Sequence, residues 1–373
     1  IDYTNGEPSI LLEPSRTNLI TYSNEFTNAT WSKSNVTITA NQAVSPEGIQ
    51  NADKYSGTTL GQNLSIPISV SDNFSYFLYV KYINAPFIRL RVDSISTWFN
   101  IETIEVATNG FADASIEDVG NGWRKITVIN TSFSGSFANA FIHPHATDNT
   151  TNEQDGGEFF LYGAQLEAGS YATSLIHTSG SAVTRSQDRA DNAGNSDLIN
   201  STEGVFYLQF AALTGAGAFD DLSLSDGTQN NKVQLFYRAT DKINARVTVG
   251  GVNVFDHIYQ SIDMTQFEKV ALKWKLNDFS MYVDGREVDS DSSGATFPAN
   301  TLNEVKINDN NISDYEGKIK CLAVFKEALT DLELEKLTGY NNHELYMNYY
   351  NRLSYLGLVE EYNVESDINN YIL

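Results

Sequence analysis

Side-chain polarity along this chain alternates with a period of two, in runs of roughly 5 to 9 residues closed by Gly, Asn, Asp and Ser clusters. Alternate side chains of an extended strand leave opposite faces, so such runs bury one face only by stacking sheet on sheet. Phe74, Tyr76, Leu78 and Val80 share one face of the first clear run. In the next, Ile88, Leu90 and Val92 oppose Phe87, Arg89 and Arg91. Further runs cover residues 123–129, 159–164, 205–210, 233–237, 243–249, 270–276, 279–283, 304–307 and 318–325. The expected fold class is all-β, with antiparallel sandwiches or barrels.

With 373 residues the chain has room for two or three domains. A net charge of −23, from 24 Lys+Arg against 47 Asp+Glu, argues against nucleic acid and anionic membrane as partners. The 41% hydrophobic and 12% aromatic content supports real cores. Cys321 is the only cysteine, which excludes an intrachain disulfide and a paired-cysteine metal site. It falls in an alternating run and reads as a buried, inert thiol. No apolar run approaches the ~18 residues of a membrane span, so no membrane insertion is expected and a soluble chain is. The first residue is Ile rather than Met, which reads as the covered part of a longer or processed product.

Residues 179–200 are nearly free of large apolar side chains and read as a crossover or linker, placing a domain boundary near residue 198. Asp284-Gly285 between two alternating runs signals a tight hairpin. Thr330 and Glu333 form a capping box, with Leu329 and Leu334 as a hydrophobic staple, ahead of a short helix over 331–337. Beyond Gly339, Leu345, Tyr346, Tyr349, Tyr350, Leu353 and Leu356 recur at helical spacing. The expected domains are 1–198, 199–339 and a helical tail, 340–373, available for contact with another subunit or with its own sandwich.

Sequence support for catalysis is thin. The Glu-x-Asp-x-x-Glu pattern that sandwich-fold glucanases carry along one strand is read as absent from the chain, and no nucleophile elbow, phosphate loop or dinucleotide fingerprint occurs. His143-Pro144-His145 offers two imidazoles without further zinc ligands nearby and reads as a polar strand end. Residues 289–294 begin like a calcium loop, but position twelve is Asn300 rather than a bidentate Glu. Asp220, Asp221 and Asp226 are the metal candidates, surrounding what reads as a loop between two strands that would hold Ca2+ with backbone carbonyls. No other cofactor is expected. Aromatic faces are platforms for sugar rings. Trp123 and Trp274 lie in alternating runs and read as core, and Trp31 as a plug at a sandwich edge. Trp98 has the best claim to exposure beside hydrogen-bond donors, which makes Trp98, Arg89 and Arg91 the glycan-binding candidates.

Two stretches carry a resemblance. Residues 1–26 (IDYTNGEPSILLEPSRTNLITYSNEF), followed by Trp31-Ser32-Lys33, and residues 162–185 (YGAQLEAGSYATSLIHTSGSAVTR), followed by Asp188, bracket about 190 residues. They resemble the start and close of a module of bacteriophage tail-fibre and head-fibre proteins, especially of phages infecting Bacteroidota. Asn121-Gly122-Trp123-Arg124 is similar to the same module, whereas Ile176-His177-Thr178 departs from its more usual Ile-Pro-Thr. The resemblance implies a jelly roll like those of carbohydrate-binding modules. Residues 204–339 look like a laminin G or concanavalin A-like sandwich, most clearly in 279–287 and 315–338. Together these resemblances imply a non-enzymatic virion surface protein, a fibre or decoration subunit, partnered by other virion proteins and host cell-surface polysaccharide. By resemblance to fibres a homo-oligomer, a trimer, is expected. The alternative is a secreted or surface bacterial glycan-binding protein, or an accessory module of a polysaccharide-degrading enzyme.

Overall fold

The computed structural model describes residues 8–70, 73–132, 138–149, 156–213, 221–238, 240–307 and 315–340. The chain divides into two compact units: Ser15–Gln187, and the residues up to Pro14 joined to those from Asp188 onward. In chain order, β1 (Ile10–Leu12) belongs to the second unit. The first unit holds β2 (Arg16–Asn18), β3 (Ser32–Ser34), β4 (Val36–Val44), β5 (Gln50–Gly57), β6 (Asn63–Ile68), β7 (Phe74–Tyr82) and β8 (Phe87–Val92). It continues through β9 (Ile95–Asn100), β10 (Glu105–Asn109), β11 (Asp113–Asp118), β12 (Trp123–Asn130), β13 (Ala138–His145), β14 (Glu158–Ala168) and β15 (Val183–Arg185). The second unit resumes with β16 (Ala190–Ala193), β17 (Glu203–Ala212), β18 (Asp221–Ser225), β19 (Lys232–Tyr237), β20 (Lys242–Val249) and β21 (Val252–Gln260). It closes with β22 (Glu268–Lys275), β23 (Phe279–Val283), β24 (Arg286–Asp291), β25 (Glu304–Ile307), β26 (Gly317–Phe325) and the helix α1 (Asp331–Thr338).

Each unit is a pair of six-stranded antiparallel sheets, so the all-β expectation holds. In the first the orders are β10-β9-β8-β13-β6-β3 and β11-β12-β7-β14-β5-β4. The inward residues of the alternating runs meet between them: Ile88, Leu90, Val92, Phe99 and Ile142 from one sheet pack with Phe74, Tyr76, Leu78, Val80 and Leu161 from the other. The two stretches that bracket this unit in sequence clasp each other in space. Arg16, Thr17 and Asn18 pair with Arg185, Thr184 and Val183. The Asn18 amide, fully buried, donates to the carbonyls of Ala164 and Ile176 and accepts from the N–H groups of Ile20 and Leu166. In β14 a bulge between Tyr162 and Gln165 turns on Gly163, whose φ is +64° and whose missing Cβ would lie 2.8 Å from a Leu175 methyl.

In the second unit the orders are β1-β26-β17-β22-β23-β24 and β16-β25-β18-β19-β20-β21. Its separate core includes Phe206, Leu208, Phe210, Leu235, Tyr237, Leu272, Trp274 and Met281. The boundary expected near residue 198 lies inside this unit, because β1 adds to β26 and β16 adds to β25. The Asp188 carboxylate ties the two approaches together by accepting the Glu13 N–H at 2.9 Å. Asp284 and Gly285 both have positive φ, 48° and 80°, as the expected hairpin requires. Glu333 at the start of α1 accepts from the Thr330 N–H and hydroxyl at 2.8 and 2.7 Å, which lowers its pKa. Leu334 and Leu329 pack under the helix with Val205, Tyr207 and Tyr282. Cys321 also lies there, half-buried rather than buried, and burial raises its thiol pKa. Of the expected tail only Tyr340 is described; its hydroxyl donates to the Phe267 carbonyl and the Asp284 carboxylate. Among the described residues no helix is long and apolar enough to cross a membrane.

Candidate functional site

The glycan candidates fall together on the face of the β10-β9-β8-β13-β6-β3 sheet that points away from its core. Directly paired residues of adjacent strands share a face, so the registers define rungs. Arg89 lies between Trp98 on β9 and His143 on β13. Arg91 lies between Ser96 and Phe141 in the next rung, and Phe87 between Asn100 and His145 in the rung on the other side. Ile88, Leu90 and Val92 alternate inward into the core and fix this orientation.

Stacking organises the face. The Arg89 guanidinium lies 4.8 Å from the Trp98 ring centre, and its Nε and Nη2 donate to the Ser96 hydroxyl at 3.0 and 2.8 Å. The Arg91 guanidinium lies 3.9 Å from the Phe141 ring centre. Phe141 and His143 stack with centroids 5.7 Å apart, and His145 meets the Trp98 ring edge at 6.0 Å. Such cation–aromatic pairs each contribute about 0.5–2 kcal/mol and hold the guanidinium planes in place.

Trp98 corrects one expectation: it is 7% exposed rather than open, because Arg89 covers its face and His145 its edge. Its indole N–H differs from the other three. Trp31 donates to the Tyr22 carbonyl, Trp123 to Val44 and Trp274 to Ser201, as core tryptophans do. Trp98 Nε1 and Arg91 Nε have no hydrogen-bond partner among the described residues. Buried polar groups are rarely left so, and where they are, a functional reason is worth seeking. Sequence reasoning placed Arg89, Arg91 and Trp98 but missed that Phe141, His143 and His145 share the same face of the sheet, with both histidines buried there. The signal was present in the alternation Phe141-His143-His145, which is in step with Phe87-Arg89-Arg91.

The metal candidates do not converge. Asp221–Ser225 is the strand β18, so Asp221 and Asp226 stand at its opposite ends, about 16 Å apart at strand rise, and not around one loop. Asp220 lies outside the described residues. Both Asp226 oxygens are engaged, accepting from the Thr228 N–H and hydroxyl and from the Asn231 amide at 2.7–2.9 Å. That set organises a turn and leaves little for a cation. Asp291 likewise accepts from Ser293, and Asp289 pairs with His257 at 2.8 Å.

The expected absence of the glucanase spacing is corrected by the sequence itself, which carries it once, at Glu153-Gln154-Asp155-Gly156-Gly157-Glu158. Only Glu158 lies on β14; Glu153 and Asp155 are outside the described residues. Hydrogen bonds from Lys54 and Ser56 lower the Glu158 pKa, the reverse of what a general acid needs. A groove of about 710 Å³ in the second unit runs beside α1, but Lys273 within it is already paired with Asp278 and Asp331.

A family model described as the Concanavalin A-like lectin/glucanases superfamily matches residues 206–335. No curated protein matches the chain. Among solved structures, the Ruminococcus gnavus IT-sialidase CBM40 bound to α2,3-sialyllactose is 14% identical over 41% of this chain and 97% of its own, with a TM-score of 0.33. A heptameric SAP-like pentraxin from Limulus polyphemus is 14% identical over 40% of this chain and 74% of its own, at 0.32. The leech intramolecular trans-sialidase is 18% identical over 42% of this chain and 27% of its own, at 0.34. The chain is thus an all-β protein whose second unit carries, over residues 206–335, a domain of the concanavalin A-like type.

Proposed function

We propose that this chain is a non-enzymatic glycan-binding protein of a virion surface, a fibre or decoration subunit that meets host polysaccharide through the outward face of its first sandwich. The observation that carries the binding reading is the Arg89–Trp98 rung: a guanidinium stacked on an indole, beside Arg91 on Phe141. The half-buried guanidiniums of Arg89 and Arg91, held on aromatic rings that they cover, offer sugar hydroxyls donors fixed in place. The virion part rests on the resemblance of residues 1–26 and 162–185, supported by the pairing of β2 with β15 that makes the two stretches one clasp. A polar, strongly negative exterior suits a surface subunit by limiting nonspecific contact with anionic envelopes. Assembly as a homotrimer with other virion proteins would raise weak sugar affinity through multivalency.

The test is binding of the purified, labelled chain to Bacteroidota cells and their extracted surface polysaccharide, comparing wild type with Arg89→Ala and Trp98→Ala of unchanged melting temperature. Saturable binding weakened by about tenfold or more in both variants is expected. No saturable binding by wild type, or variants that bind as wild type does, overturns the reading. The same face equally serves a bacterial surface glycan-binding protein or an accessory module of a polysaccharide-degrading enzyme; finding the chain on purified particles separates these from the virion assignment.

A further inference from the structure

Resting on the glycan-binding reading, we propose that the rung centred on Arg91 selects saccharides carrying a carboxylate. This rung crosses five neighbouring strands as Ser32–Ser65–Phe141–Arg91–Ser96, about 19 Å at the usual strand spacing. Its only charge is the guanidinium. In a chain with 47 acids against 24 bases, a half-buried arginine would ordinarily find a carboxylate, yet Arg91 makes no ion pair among the described residues. The nearest carboxylate along the chain is Asp93, exposed two residues beyond Arg91, where its N–H donates to the Asn139 carbonyl; among the described residues it forms no ion pair with Arg91.

Arg91 is held flat by Phe141, at 3.9 Å, so its fork is oriented before any ligand arrives. A guanidinium presented in a plane matches the two oxygens of a carboxylate, and a bidentate pair adds orientation as well as attraction. A neutral sugar over the same rung would desolvate the cation without a counter-charge, a net cost. Of the serines on the rung, Ser32 is exposed and offers a neutral donor and acceptor for ring hydroxyls, while Ser65 and Ser96 are buried and Ser96 already accepts from Arg89. Selection therefore follows from what the rung lacks as much as from what it holds: nothing on it competes for the arginine, and nothing on it repels an acid.

The experiment is calorimetric titration of the full chain with polygalacturonate, hyaluronan and alginate, each beside its carboxyl-reduced form, and with dextran sulfate. Wild type, Arg91→Ala and Arg91→Lys are compared, with melting temperatures checking the fold. At least one acidic polymer is expected to bind wild type about tenfold or more tighter than its reduced form. Arg91→Ala is expected to abolish that preference, and Arg91→Lys, which keeps the charge but not the fork, to retain part of it. Equal affinity for acidic and reduced forms overturns the carboxylate inference and leaves glycan binding standing. A preference that survives in Arg91→Ala, or tight binding of the sulfate alone, also overturns it. Binding to none of the polymers overturns this inference, while the cell-binding assay judges the broader reading separately.

Discussion

Tyr76 lies on the inner face of β7, fully buried, and its hydroxyl has no hydrogen-bond partner among the described residues. Burial pushes its phenol pKa up, so the group stays neutral, but a buried hydroxyl without a partner still carries its desolvation cost. Tyr76→Phe is therefore expected to leave stability unchanged or raise it by up to about 1 kcal/mol, read as the urea midpoint. A loss of more than that would mean the hydroxyl has a stabilising partner. His177 is the contrasting case, a polar residue whose every ring atom is accounted for. Asn24 accepts the Gly163 N–H with its oxygen, which turns its amide nitrogen to His177 Nδ1 at 2.5 Å. The proton then belongs on Nε2, which donates to Glu47 at 2.7 Å, and the other Glu47 oxygen accepts the Tyr162 hydroxyl at 2.5 Å. This assignment follows from hydrogen-bond geometry. A proline at 177, as in the more usual Ile-Pro-Thr, offers none of these bonds, so the departure visible in the sequence marks a local network.

At the scale of elements, the strand β1 shows what a sequence hides. Ile10, Leu11 and Leu12 pair with Ile319, Lys318 and Gly317 of β26, and Leu12 enters the second core. A chain beginning at Ser15 would bare that edge of β26, and an uncovered edge is a template for association. Such a truncation is expected to lower the melting temperature of the second unit and to raise its concentration-dependent association in light scattering, while the first unit melts as before. An unchanged second transition would mean that β1 contributes nothing. The long alternating runs were legible because each contrasts large apolar with polar side chains. The second-unit runs 279–283 and 304–307 match β23 and β25 residue for residue. Strands such as β10 (EVATN), β11 (DASIED) and β16 (ADNA) were not, since neither face presents a row of large apolar groups and pairing alone makes them strands. For the same reason residues 179–200 read as linker, although β15 closes one unit and β16 opens the other's sheet. The candidate face was half-legible: β8 displays its own alternation, but only the register brings Phe141, His143 and His145 beside it.

For the whole molecule, two separate cores predict two cooperative transitions, and their buried acids respond to pH in different ways. In the first unit Asp53 and Glu167 both have pKa values raised by burial, which outweighs the hydrogen bonds they accept from Asn41 and from Thr173. The folded unit thus binds protons more tightly than the unfolded chain. Its stability rises as pH falls through the raised values toward the ordinary 3.8 and 4.5, and the cost is fully present at neutral pH. In the second unit, burial pushes Asp226 up, but hydrogen bonds from Asn231 and Thr228 hold its pKa below the ordinary 3.8. Its contribution is complete above 3.8 and is lost only as pH falls further, through the lowered value. Protonation of surface acids also relieves the self-repulsion of a −23 chain, but that acts on both units. Scanning calorimetry from neutral pH down to the ordinary carboxylate value of 4.5 is therefore expected to move the first unit's transition upward relative to the second's, with the Ser15 truncation identifying which is which. A relative shift in the opposite direction would mean that Asp53 and Glu167 are stabilised as carboxylates by their hydrogen bonds, and that burial does not set their charge.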